Sequence, residues 1–281
     1  MFLNKIYNFF YDAIYEFIDR DGIELAGHLS FLLILIIFPI LLFLALALNV
    51  LSQYSFIEIN VLQKVILKLL SNLPSNLQEH LMPYIYEFVT DSPDVGKKFI
   101  FISFFWTSTS FIDGLRTFFF RSLSNMPERP NIVQRRIEDM MIFCSLLLFL
   151  IFMIISVNYN PLVYVLNYLS FNIPILVEIV YIVYHLMFFI YLVFCIIFFY
   201  IILQYKKISI RDELPGALFT GLSWVIVIKI FSIYISIFSN NMSILYGSLT
   251  NFIIVILLIY VLTTFFLLGH QINIKMLQER V

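Results

Sequence analysis

Four ionisable side chains inside long apolar segments, and a fifth at the edge of one, are the residues of this chain best placed to do chemistry. Asp113 and Arg116 stand at i, i+3, a spacing at which two side chains on one helix can form an ion pair. His185 and Lys229 lie in two later apolar segments, and Glu178 stands at the outer start of the segment that contains His185. An ionisable group in lipid is costly and therefore faces a bundle interior or water. These residues are accordingly either a polar pathway or structural partners.

The last three of these residues have specific alternatives. Lys229 can reach the outer membrane interface or pair with a carboxylate such as Glu178. His185 shares a helix face with Glu178, because it follows two helical turns later. One interpretation of His185 is a proton relay, and the other is a hydrogen-bonded structural histidine.

Small residues and prolines define candidate packing and hinge positions. Residues 216–220 have the pattern Gly-x-x-x-Thr and residues 217–221 the pattern Ala-x-x-x-Gly. Such spacing allows a second helix to approach closely. The candidate positions are Pro39, Pro215, Gly216, Ala217, Gly221 and Gly247.

The start of the fifth apolar segment has helix-initiating residues. Asp212 is a candidate N-cap, and Pro215 falls in the first turn, where a missing N–H costs least. Asp212 and Glu213 also suit the positive end of the helix dipole. We expect a continuous helix here, in tight contact with a neighbour, in preference to a discontinuous binding helix.

The composition places these residues in a membrane protein. Hydrophobic residues make up 62% of the 281-residue chain and charged residues 12%, about half the charged share of a soluble globular protein. A soluble fold of this length cannot hide so much apolar surface. The net charge of −1 excludes the basic excess of a nucleic-acid binder, and the high hydrophobicity excludes a disordered chain.

Signatures of catalysis are missing from the sequence. It has no phosphate-binding glycine loop, no histidine pair at metal-ligand spacing and no nucleophile elbow. The two cysteines, Cys144 and Cys195, lie in apolar runs and form no redox motif. We therefore expect no catalytic residue, no metal, no cofactor and no nucleotide site for an ATP-driven pump.

Six segments are long and apolar enough to cross a bilayer, which needs about 20 apolar residues. They are residues 29–52, 99–120, 140–157, 179–203, 214–238 and 244–268. The first contains Pro39, which removes a backbone hydrogen bond and predicts a kink. The second is the weakest, because only its first part, 99–112, is uncharged. We predict an all-α, six-span protein with a single membrane domain.

The distribution of loop charge predicts the orientation of these spans. With the N-terminus in the cytoplasm, 12 of the 17 Lys and Arg residues lie on the inner side and 4 on the outer side. This distribution follows the positive-inside rule. If residues 99–120 did not cross, the arginine-rich segment 121–136 would lie outside and every later loop would invert. The charges therefore predict N-in and C-in, with a true second span.

Two regions outside the spans have amphipathic patterns. In residues 6–18, apolar side chains recur at helical spacing and the opposite face is acidic. This pattern predicts an amphipathic helix that lies on the cytoplasmic surface or packs on the bundle, and the acidic face favours docking on protein over binding of anionic lipid. In the long outer loop, residues 57–70 and 77–89 have similar patterns. These two helices either cap the outer side or only connect two spans.

Four segments together resemble the YihY/BrkB family of bacterial inner-membrane proteins. They are DGIELAGHLSFLLILIIFP at 21–39; Trp106 to Arg121 with PERP at 127–130 and Arg135-Arg136; LPGA at 214–217 with Trp224 and Tyr234; and YGS at 246–248 with Tyr260, Gly269 and Asn273. The chain departs from the family pattern at Gly27 and His28, where small alanines are usual, and at Gln271, where Glu is common. The resemblance implies a six-helix protein associated with serum resistance in a pathogen and mislabelled as a tRNA-processing ribonuclease.

The expected function is a non-ATP-driven transporter or lipid-handling protein of the bacterial inner membrane. Its partners would be membrane lipids and an unknown small-molecule or lipid substrate, without nucleic acid. The alternative is a structural or envelope-assembly factor that translocates nothing, and a homo-oligomer is left open. One polar cavity lined by Asp113, Glu178, His185 and Lys229 would favour the transporter.

Overall fold

The computed structural model describes residues 2–53, 94–123, 131–158, 174–204, 209–238 and 247–280. Seven α-helices lie in these ranges, and no β-strand does. They are α1 (Phe2–Asp19), α2 (Gly22–Gln53), α3 (Asp94–Ser122), α4 (Ile132–Asn158), α5 (Pro174–Leu203), α6 (Ile210–Phe238) and α7 (Gly247–Arg280). The described part of the chain is therefore all-helical, as the sequence predicts.

The helices cover the predicted apolar segments. The first five segments each lie inside one helix from α2 to α6, and the sixth coincides with α7 from residue 247 onward. In the described ranges, three stretches are long and apolar enough to cross a membrane: His185–Leu203, Ile210–Ile237 and Ile253–Glu279. The predicted outer-loop helices at 57–70 and 77–89 lie outside the described residues.

A tight turn joins α1 to α2. Asp21 has a φ of 58°, in the left-handed region that Asp enters more readily than most residues. At Gly22, a Cβ atom would overlap the ring of Phe17. The turn therefore needs glycine at this position, and it folds α1 back against the start of α2.

Polar contacts gather the helix ends at one end of the bundle, which we call the inner end. There α1 meets α2, α3 ends and α4 begins, α5 ends and α6 begins, and α7 ends. Arg20 donates to the backbone oxygen of Arg121 at 2.7 Å, and Arg121 pairs with Asp21 at 3.1 Å. The polar residues described below lie at this end.

Aromatic and aliphatic side chains fill the core beneath the inner end. Phe119 of α3 packs against Tyr200 of α5 and Phe266 of α7. Ala26 and Leu29 of α2 belong to the same buried cluster. Burial of these side chains fixes the relative positions of the helices that carry the polar groups.

Candidate functional site at the inner end of the bundle

Glu213 is a fully buried carboxyl group where α5, α6 and α7 meet. Nε2 of Gln204 donates to its Oε1 at 2.6 Å, and Nδ2 of Asn273 donates to its Oε2 at 2.7 Å. Asn273 also donates to the backbone oxygen of Glu213 at 3.1 Å. Among the described residues, no Lys or Arg forms an ion pair with Glu213. Within the described part of the chain, the side-chain partners of this carboxyl group are thus the two amide donors.

The local sequence explains why an acid occupies this position. Glu213 lies in the first turn of α6, where free backbone N–H groups and the helix dipole favour negative charge. The two amide donors add hydrogen bonds that also favour the ionised form. Burial without a cationic partner opposes ionisation. Such a carboxyl group can accept a proton or a small cation.

Asn273 also fixes the crossing of α6 and α7. Its Oδ1 accepts a hydrogen bond of 2.6 Å from the backbone N–H of Gly216. A Cβ atom on Gly216 would overlap the backbone oxygen of Gly269, and a Cβ atom on Gly269 would overlap the hydroxyl of Thr220. The two glycines therefore allow a backbone approach that larger residues prevent, as the small-residue pattern predicts.

Side-chain hydrogen bonds continue along this crossing. The hydroxyl of Tyr200 donates to the backbone oxygen of Phe266 at 2.7 Å and lies 2.8 Å from the hydroxyl of Thr220. Nε1 of Trp224 donates to the backbone oxygen of Leu262 at 2.9 Å. Bonds from side chains to carbonyl groups tie α5 and α6 to α7 in a region with few polar alternatives.

His270 is buried one turn from Asn273 on α7. Its ring stacks on Phe119 with centroids 3.7 Å apart, and the ring of Tyr200 lies 5.8 Å away. Neither ring nitrogen of His270 has a hydrogen-bond partner among the described residues. An imidazole in this setting is held by aromatic packing, and both of its nitrogens are buried.

An ion-pair network joins α3 to α4 at the same end. The guanidinium of Arg116 contacts Asp139 at 2.6 Å and Glu138 at 3.0 Å, and Arg135 contacts Asp113 at 3.0 Å. The Arg116 side chain is only 5% exposed and that of Asp139 is fully buried. Burial raises the pKa of Asp139, and the Arg116 guanidinium opposes this effect.

Asp113 and Arg116 do not form the predicted ion pair with each other. Both residues lie on α3, but each bonds to a residue of α4, because α4 packs along the face that carries them. The spacing of i, i+3 permits a contact within one helix but does not exclude stronger partners on a neighbour.

The described members of the predicted polar pathway do not share one cavity. His185 and Lys229 are both exposed, on α5 and α6. They lie about 27 Å and about 29 Å along their helices from the inner end, at ~1.5 Å per residue. Asp113 belongs to the network at the inner end. The side chain of Glu178, and with it the predicted pair with Lys229, lies outside the described residues.

The observed start of α6 lies before Asp212, the predicted N-cap. Helix α6 begins at Ile210, and the backbone N–H of Asp212 donates to the carbonyl of Ser209 at 2.9 Å. Asp212 is therefore a first-turn residue and not the N-cap. Pro215 lies inside α6 without ending it.

The other candidate packing positions have separate neighbours. Gly221 faces Val193 and Phe189 of α5, while Ala217 is fully buried in the core. Helix α2 continues past Pro39, which is buried within it. Gly247 is the first residue of α7.

Gln204, His270 and Asn273 are not among the site residues that the sequence predicts, and Glu213 is predicted only as a helix-start acid. Gln204 and Asn273 fall just beyond predicted spans, where polar residues are ordinary. A detectable signal was the cluster of three polar residues within 270–273 of α7, which continues a long apolar segment.

The long apolar helices and the buried polar groups define a membrane protein. The family model "Virulence factor BrkB" matches residues 13–281, and the chain belongs to this family. The family resemblance in the sequence is therefore confirmed.

The chain is also similar to the ribonuclease-like protein YfkH of Bacillus subtilis (strain 168), with 39% identity over 74 residues. That stretch covers 26% of each protein, so the comparison spans about a quarter of the relative's length. No solved structure matches the chain.

Proposed function

We propose that this BrkB-family protein crosses the bacterial inner membrane six times, with both termini in the cytoplasm. We further propose that it moves a small molecule or a lipid without ATP, using Glu213 as the binding group at the inner end. The positive-inside count of Lys and Arg supports the orientation. The gathering of alternate helix ends at the inner end supports an antiparallel, six-helix arrangement.

The observation that carries the proposal is the buried carboxyl group of Glu213. It lies among apolar helices and is bonded by Gln204 and Asn273, without an ion pair in the described residues. A charge that is only structural usually has an opposite charge beside it, as Arg116 has in Asp139. A buried acidic group in a membrane bundle, bonded by amide donors among the described residues, is typical of substrate and ion sites.

The neighbouring groups include buried polar atoms that can respond to occupancy. Neither the ring nitrogens of His270 nor Oε1 of Gln204 have a hydrogen-bond partner among the described residues. His270 lies on α7, and Gln204 directly follows Leu203, the last residue of α5. A proton, a cation or a cationic headgroup at Glu213 would compete with the amide donors and loosen the contacts among α5, α6 and α7.

The second candidate is a structural or envelope-assembly factor that translocates nothing. One observation favours it: each of the five charged residues of the α3–α4 network has an oppositely charged partner on the neighbouring helix. Such pairing between two helices stabilises their arrangement. In this case Glu213 would also serve only to fix the α6–α7 crossing.

Reconstitution of the full chain into lipid vesicles separates the two candidates. The first readout is dithionite bleaching of NBD-labelled phospholipid, which reports movement of lipid between leaflets. The second is a pH-sensitive dye trapped in the vesicles, which reports proton-coupled flux. A rate above that of protein-free vesicles in either assay supports the transporter. Rates equal to those of protein-free vesicles, with folded and inserted protein, contradict it and support the assembly factor.

A further inference from the structure

Helix α1 has three distinct faces. One face is buried against the bundle and contains Ala13 and Phe17. A second face is acidic and contains Asp12 and Glu16. The third face is apolar but exposed. It consists of Tyr7, Phe10, Tyr11, Ile14, Tyr15 and Ile18.

Contacts on two of these faces fix how α1 sits on the bundle. Glu16 accepts a hydrogen bond of 2.6 Å from Lys275, near the end of α7, and Asp12 lies 3.8 Å from the same ammonium group. Phe10 packs near Phe219, with ring centroids 6.3 Å apart. Phe219 lies about 14 Å along α6 from its first residue, at ~1.5 Å per residue. The acidic face of α1 therefore points towards the C-terminal end of α7, and Phe10 points towards the middle of the bundle.

The exposed apolar face has the chemistry of a membrane interface. Tyr7, Tyr11 and Tyr15 follow one another at i, i+4 spacing and are 69%, 59% and 62% exposed. The rings of Tyr7 and Tyr11 stack with centroids 6.3 Å apart. Tyrosine combines an apolar ring with a polar hydroxyl and is enriched where lipid headgroups meet acyl chains.

We propose that α1 is an interfacial helix whose exposed apolar face rests in the phospholipid of the inner leaflet, with Ile14 near its centre. The inference rests on the membrane-spanning part of the proposed function and is independent of transport. On the acidic face, Asp12 is 53% exposed beside Lys275 at the inner end, so this side of α1 points towards water. Phe10 of the apolar face lies beside the deeper Phe219, so that side points towards lipid. No basic residue lies within 7–18, so attachment does not require anionic lipid.

Spin labels on the full-length protein test this placement. Cys144 and Cys195 are first replaced by serine, and the gel-filtration profile must match that of the parent. Single variants Ile14→Cys and Asp12→Cys then carry a nitroxide on opposite faces of α1. In phosphatidylcholine vesicles, we expect a severalfold higher ratio of oxygen to nickel-chelate accessibility at position 14 than at position 12.

Two results would overturn the proposal. Equal nickel-chelate accessibility at both positions would place the apolar face in water. Protection of position 14 from both oxygen and nickel chelate would show that protein, including a second copy of this chain, covers the face. Repeating the measurement with added phosphatidylglycerol should leave the ratios unchanged, and a ratio that rises only with anionic lipid would contradict charge-independent attachment. A chain that transports nothing would still give the expected pattern, so failure of transport remains a separate result.

Discussion

Asn273 and Glu213 stand 60 residues apart in the chain, yet Nδ2 of Asn273 donates to Oε2 of Glu213 at 2.7 Å. The other end of the same amide accepts the N–H of Gly216 at 2.6 Å. One side chain on α7 therefore holds both the acidic group and a close backbone approach of α6. The site and the helix crossing are coupled, so a change at either one should affect the other.

The close approach of α6 and α7 at this crossing can be tested with one substitution. Gly216→Ala should destabilise the protein by about 1–3 kcal/mol, the usual cost of overpacking, because the new methyl group would overlap the backbone oxygen of Gly269. Chemical unfolding in detergent measures the free energy of unfolding.

A matched control for this variant is Gly27→Ala on α2. A Cβ atom there would meet only Tyr260, at 3.8 Å. Alanine in a helix interior is preferred over glycine by about 0.5–1 kcal/mol, so this variant should be neutral or more stable. Equal destabilisation by the two substitutions would show that α6 and α7 are not in the close contact described.

The ion pair between Arg116 and Asp139 predicts strong non-additivity. Arg116→Met leaves a buried carboxyl group without its main partner and should cost about 3–5 kcal/mol. Adding Asp139→Leu removes the uncompensated acid, so the double variant should be more stable than Arg116→Met alone. A double-mutant cycle of unfolding free energies measures the coupling, and additive single effects would refute a direct interaction.

The six-span topology predicts the location of two loops. Reporter fusions after Asn125 and after Tyr168 should lie on opposite sides of the membrane, the first in the cytoplasm and the second outside. The reason is the excess of Lys and Arg around the first loop and its absence from the second. Alkaline phosphatase and fluorescent-protein fusions report the two sides, and signals from the same side would rule out this topology.

The sequence predicts the helices well because their signal is local. Long apolar runs set the positions of α2 to α7, and the amphipathic pattern of residues 6–18 indicates α1. The small-residue pattern around Gly216 also carries packing information, since close helix approach needs small side chains. The helix ends are predicted less well than the helices themselves. Helix α6 starts at Ile210, before the predicted N-cap, and the pattern misses this because an acidic residue suits the first turn of a helix as well as its cap.

The site depends on contacts that no local pattern encodes. Asp113 and Arg116 have a spacing that permits mutual pairing, yet each prefers a residue of α4. Gln204 and Asn273 look like ordinary polar residues at the ends of spans, and only the packing of α5 against α6 and α7 brings them to Glu213. Long-range partner choice is decided by tertiary geometry, which residue spacing within one helix does not specify.

The most direct test of the account is transport by Glu213→Gln in the vesicle assays. Glutamine keeps the size of the side chain and removes its charge, and the thermal stability of the variant is measured alongside. Glu24→Gln is the matched control, because Glu24 is an exposed acid in the first turn of α2. We predict that Glu213→Gln falls to the rate of protein-free vesicles while Glu24→Gln keeps the wild-type rate. A folded Glu213→Gln protein that transports at the wild-type rate would contradict the role given to this carboxyl group.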